Sequence, residues 1–179
     1  ISMETGKYQD GWPWQRRFFG SAVKNLFDDG ARAVGFDISF TSNDEHSSKN
    51  DTYFASILRK YPNVVIGTYS LKRKEIYEAY PEEFKEYLTT NISYLKESFS
   101  LKNLEYRAKF YPSSSYKIIP SIKEFSDFTS TNIYEVGNLD VDGIVRNMPL
   151  IFKENWAEEN GYGDVLLANL DLMLFKKYL

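Results

Sequence analysis

The chain has 179 residues, 42% apolar and 26% charged, which suits one domain with a real hydrophobic core and argues against wholesale disorder. A formal charge of −3 and a pI near 5.3 leave no large positive field for a phosphate backbone, so nucleic acid is not an expected partner. There is no cysteine, which excludes disulfides, thiol catalysis and thiolate metal sites.

From Arg16 to Asp29, Phe18, Ala22 and Leu26 form one i, i+4, i+8 series and Phe19, Val23 and Phe27 a second, which predicts an amphipathic helix. Gly30 stands where a left-handed cap is wanted, and Ala31 to Phe40 then predicts a buried strand. A polar loop, Thr41 to Asn50, leads to Asp51 as the N-cap of a short helix carrying Phe54, Ile57 and Leu58. Pro62 ends that helix, and Asn63 to Tyr69 predicts a second strand. A helix between two such strands is the mark of a parallel βαβ unit.

From Leu71 the chain becomes charged and tyrosine-rich. Phe84, Leu88, Ile92, Leu95 and Phe99 keep helical spacing, so one or two helices, broken near Pro81, are expected over 71–111. The cluster Lys72, Arg73, Lys74 is followed by Glu75, Glu78, Glu82 and Glu83 and reads as a solvated face. Beyond it come a short strand at Tyr116 to Ile119 and a short helix opened by Pro120. Two strands are expected on either side of the turn at Asp142 and Gly143, and a final helix is expected from Gly163 and Asp164 onward. The fold class expected is α/β, a single domain over 1–179 with a central mostly parallel or mixed sheet flanked by helices and a helical insertion at about 71–111.

Three segments in order carry a family likeness: GWPWQRR (Gly11 to Arg17) running into GARAVGFDISF (Gly30 to Phe40); Asp51, its short helix and NVVIGTY; and VGNLDVDGIVRNMPL (Val136 to Leu150) with the helix after it. In these the chain resembles the CHASE domains of the second type, over all but roughly 71–111. The resemblance implies an extracytoplasmic sensory input module of a bacterial membrane receptor. It also implies flanking transmembrane helices and a cyclase or protein kinase as output. It names no stimulus, so the partner is an unidentified small extracellular ligand or a periplasmic protein, and dimerisation is the expected assembly. The chain opens abruptly at Ile1 and closes inside an apolar pattern at Leu179, from which a longer parent protein is expected.

Seven residues are candidates for ligand contact: Trp12, Trp14, Arg16, Asp37, Asp51, Asp142 and Arg146. Trp12 and Trp14, stiffened by Pro13, offer π faces for a planar ligand, or else plug the end of the core. Arg16 suits a bidentate anion, or pairs with an internal carboxylate such as Asp37. Asp37 lies in an apolar run, where an unpaired carboxylate is costly. Asp142 and Arg146 either bridge within the acidic turn or touch ligand. In an open α/β sheet the crevice lies beyond the carboxyl ends of the parallel strands, which here gathers the strand end near Asp37, the loop to Asp51 and the segment after Tyr69.

No cofactor and no metal are expected. Asn138, Asp140, Asp142 and Gly143 begin like a calcium loop, but the position that needs a bidentate glutamate is Pro149. The one histidine, His46, cannot build an ordinary zinc site alone. No nucleophile elbow, Walker loop or dinucleotide fingerprint occurs, so no enzyme is expected. The alternatives are a stand-alone hydrolase using carboxylates and a protein-interaction module docking through 71–111.

Overall fold

The structure is a computed structural model, and it describes residues 13–97, 113–126, 130–133 and 149–179. Helix α1 (Arg16–Asp28) forms as the spacing predicts, but only one of its two apolar series is buried. Phe19 and Val23 enter the core beside Gly20, while Leu26 and Ala22 face solvent. Strand β1 (Val34–Phe36) is shorter than the apolar run around it, so Asp37 falls past its end and is exposed rather than buried in a strand. Helix α2 (Ser48–Lys60) starts before Asp51. Its N-cap is Ser47, whose side chain accepts from the Lys49 amide, and Asp51 sits in the first turn.

Strand β2 (Val64–Leu71) pairs in parallel with β1, in the register Val34 to Val64, which completes the βαβ unit. Gly67 marks a close approach there: a Cβ on it would lie 2.8 Å from the Phe36 carbonyl oxygen, a backbone atom with no freedom to yield. The chain continues as α3 (Lys74–Glu78), α4 (Glu82–Thr90) with Pro81 at its cap, and a 3-10 turn over Ser93–Glu97. The break at Pro81 agrees with the sequence, whereas helical spacing stops at Asn91, short of the full apolar series.

The remaining strands are β3 (Ser113–Ser115), β4 (Lys117–Ile119), β5 (Ser130–Ile133), β6 (Ile151–Glu154) and β7 (Val165–Ala168), with α5 (Lys123–Ser126), α6 (Asn155–Glu159) and α7 (Leu170–Tyr178) between and after them. Among the described residues they divide into two small mixed sheets. In the first, β1 and β5 run parallel to β2 and β4 runs antiparallel to it; in the second, β6 pairs in parallel with β3 and antiparallel with β7. The α/β class with helices flanking mixed sheets is the one the sequence predicts.

The final helix differs. Val165 to Ala168 form a fully buried strand instead of its first turn, because Gly161 and Gly163, at φ 85° and 77°, set a turn before it and Asn169 caps α7 by accepting from the Leu172 amide.

Two cores result. The first packs Phe19, Phe40, Phe54 and Phe125 from α1, the segment after β1, α2 and α5, with Phe40 and Phe54 edge to face at 5.4 Å. The second gathers Tyr94, Tyr116, Ile118, Phe152, Trp156 and Leu167 around the second sheet. Helix α7 covers the first sheet through Met173 and Leu170 against Val65.

Candidate functional site

Helix α1 begins badly by its own sequence. Gln15 supplies no side-chain cap, the first turn holds no acidic residue, and Arg16 and Arg17 put positive charge at the positive end of the helix dipole. The missing acceptor comes from a loop 28 residues away. The Arg16 amide donates to Asp44 Oδ2 at 2.6 Å.

The other oxygen of Asp44 serves the second helix. Oδ1 accepts from the amides of His46 at 2.8 Å and Ser47 at 3.0 Å, and from the Asn50 side chain at 3.2 Å, bracing the turn that enters α2. One carboxylate thus ties the amino ends of both helices to the loop after β1. Burial raises the Asp44 pKa, but the amides of Arg16, Ser47 and His46 and the Asn50 side chain outweigh it, so the carboxyl titrates below its usual range.

Arg16 lies buried beneath this loop. Its Nη2 donates to the Ser42 carbonyl at 3.1 Å, its guanidinium lies 4.7 Å from the Phe40 ring centroid, and its Nε faces Asp51 Oδ1 at 3.9 Å. Asp51 Oδ2 accepts from the Asp44 amide at 2.9 Å. Desolvation lowers the Arg16 pKa against the charges of Asp51, Asp44 and Glu45, and desolvation raises that of Asp51 against the Asp44 amide and Arg16. Arg16 thus pairs with Asp51 and not with Asp37, although its Nε and Asp51 Oδ1 are both buried without a hydrogen bond among the described residues.

A cavity of about 120 Å³ opens over this network, lined by Trp14, Arg16, Phe40, Asp44, Glu45 and His46 among others. Drug-sized ligands occupy roughly 300–1,000 Å³, so this space suits a small polar molecule. Trp14 packs against Phe19, 6.2 Å between ring centroids, and leaves 41% of its surface exposed at the cavity.

Of the residues singled out in the sequence, the structure brings Trp14, Arg16 and Asp51 together around the loop that follows β1. Asp37 is exposed and does not line the cavity, nor does the segment after Tyr69. Trp12, Asp142 and Arg146 lie outside the described residues. Sequence reasoning missed Asp44, which looks like any polar loop residue until the two helix ends converge on it.

It also missed a second polar cluster, Lys117, Glu154 and Tyr94, buried where the sheets meet. A signal was present for Lys117 alone, which interrupts the apolar run Tyr116 to Ile119, whereas Glu154 stands between Lys153 and Asn155 and looks like a surface residue. Among the described residues no group of histidine and carboxylate ligands suited to a metal ion occurs, and no helix is long and apolar enough to cross a membrane.

No curated protein and no solved structure matches the chain. A family model does: the CHASE2 domain, over residues 1–179, which takes in the 71–111 segment as well. CHASE2 domains are extracellular sensory domains of bacterial membrane receptors and are not themselves catalytic. The motifs that flank the loop after β1 thus belong to a match that runs from the first residue to the last, and the chain belongs to the CHASE2 domain family.

Proposed function

We propose that this chain is the extracytoplasmic input domain of a bacterial transmembrane receptor that controls a cytoplasmic adenylate or guanylate cyclase or a protein kinase. The observation that carries the reading is the family match over the whole chain. The ligand is a small polar molecule taken up at the cavity beyond β1. Arg16 is already paired and Asp44, Glu45 and Asp51 surround it, so the site favours a neutral or cationic ligand over an anion. The Trp14 indole supplies the face on which such a ligand stacks. Flanking membrane helices and a dimeric receptor complete the proposal.

The absence of cysteine gives a clean test of placement. Glu83 is exposed on α4, so Glu83→Cys provides a thiol at a defined surface position of the domain. In intact cells expressing the full receptor, a membrane-impermeant maleimide is expected to label Glu83→Cys above the level of the parent receptor. Labelling only after the inner membrane is broken would place the domain in the cytoplasm and overturn the proposal.

A further inference from the structure

Lys117 on β4 and Glu154 at the end of β6 link the first sheet to the second, and both side chains are fully shielded from solvent. Lys117 Nζ lies 3.7 Å from Glu154 Oε1. The Tyr94 hydroxyl from the 3-10 turn joins them, accepting from Lys117 Nζ at 2.9 Å and donating to Glu154 Oε1 at 2.7 Å. The Ile118 amide donates to the same oxygen at 2.8 Å. Glu154 Oε2 is buried with no hydrogen-bond partner among the described residues. On its other side Lys117 Nζ sits 3.2 Å from the Trp156 ring centroid, in cation–π contact.

An ion pair this dry, with one carboxylate oxygen unused, is a costly way to join two sheets, since apolar side chains of similar volume often serve stability as well or better. What the apolar alternative lacks is a response to protons. We infer that Lys117, Glu154 and Tyr94 form a proton-responsive link between the two sheets, through which the pH around the domain changes how β4 and β6 are held together.

Burial pulls the Lys117 amine down from its ordinary 10.5 to about 8 against the charge and hydrogen bond of Glu154. Burial likewise raises the Glu154 carboxyl against Lys117, the Ile118 amide and Tyr94, and raises the Tyr94 hydroxyl well above its usual range. Among the described residues Tyr94 is the other titratable group facing the pair, and Tyr162 acts on Tyr94 in turn. Lys153 turns away to Glu158 and Asp164, and the Tyr116 hydroxyl donates to Glu159, which pairs with Lys74, in a separate set. When Lys117 loses its proton, Glu154 keeps only the Tyr94 hydroxyl and the Ile118 amide, and the cation leaves the Trp156 face.

Trp156 reports the event directly. With Trp12→Phe and Trp14→Phe leaving it as the single indole, its fluorescence is expected to step once with a midpoint near 8. Lys117→Met should abolish the step. Tyr94→Phe, which keeps the ring and removes the acceptor of the ammonium proton, should move the midpoint below that of the parent. No step, a step that persists without Lys117, or an unmoved midpoint in Tyr94→Phe overturns the inference.

The output arm rests on the sensory reading. The full receptor's output is expected to change across the same step, and to follow the moved midpoint in Tyr94→Phe. A fluorescence step with a flat output overturns the regulatory role and leaves the sensory reading standing.

Discussion

Lys117→Met alone and Glu154→Leu alone are each expected to lower the unfolding free energy by about 3–5 kcal/mol, because each leaves the other charge buried without its counter-ion. Changed together they are expected to cost clearly less than the two single losses combined, since the cost of desolvating both ions disappears and the volume stays filled, while the Tyr94 hydroxyl and the Ile118 amide lose their acceptor. Urea denaturation decides it: the midpoint falls at constant slope in each single variant, and the fall in the double is smaller than the sum of the two. A double variant as unstable as the two single losses combined would contradict the account.

The same pair fixes a pH dependence. Lys117 binds its proton less tightly folded, at about 8, than at its ordinary 10.5, so between those values the unfolded chain holds more protons and stability rises with pH. Glu154 is shifted the other way: its folded carboxyl titrates above the ordinary 4.5, so stability falls as pH climbs from there through the raised value. This pair therefore contributes least to stability while both groups are charged, and the dip should vanish in the double variant. Losing the Lys117 proton thus favours the folded chain as a whole even as it removes the attraction between the sheets.

Asp44→Ala is the second large effect, with an expected loss of about 2–4 kcal/mol from removing a cap of roughly 1–2 kcal/mol at α1 together with the brace at the start of α2. The Asp51 contact survives, because it is made to the Asp44 backbone amide, which alanine keeps. Hydrogen exchange distinguishes this from a general loosening: the Arg16, His46 and Ser47 amides should lose protection well before those of β2. Uniform loss of protection would show that Asp44 is not the tie between the helices. Since the Asp44 carboxyl titrates below its ordinary 3.8, its contribution is complete above that value and is lost as pH falls through the lowered one.

The parts of this fold legible in the sequence are those set by neighbours in the chain. The α1 period, the β1–α2–β2 unit and the break at Pro81 rest on local spacing and on proline, and each stands in the structure. Where an apolar run was long, its type was not legible. Val165 to Leu174 fits a helix by period, yet the glycine turn before it and the Asn169 cap within it split the run into β7 and α7. Asp37 lies within an apolar run in the sequence, but the strand itself ends at Phe36 and leaves Asp37 exposed.

The candidate site was legible in its frame and not in its keystone. Trp14, Arg16 and Asp51 stand out by type, and the rule that crevices open beyond the ends of parallel strands points to their loop. Asp44 holds that loop through partners up to 28 residues away, a relation no local pattern records. Lys117 and Glu154 likewise meet only after two sheets assemble.

The most direct test of the sensory reading is the dose–response of the full receptor in membranes, with small neutral and cationic compounds added from outside, for the parent and for Trp14→Ala. Trp14 is 41% exposed, so the variant should keep its fold, and loss of one stacking contact of about 1–2 kcal/mol should shift the half-maximal concentration roughly 5- to 30-fold at unchanged maximal output. A folded Trp14→Ala receptor whose curve coincides with the parent's, for a compound to which the parent responds, would contradict the account and move the input site away from the loop beyond β1.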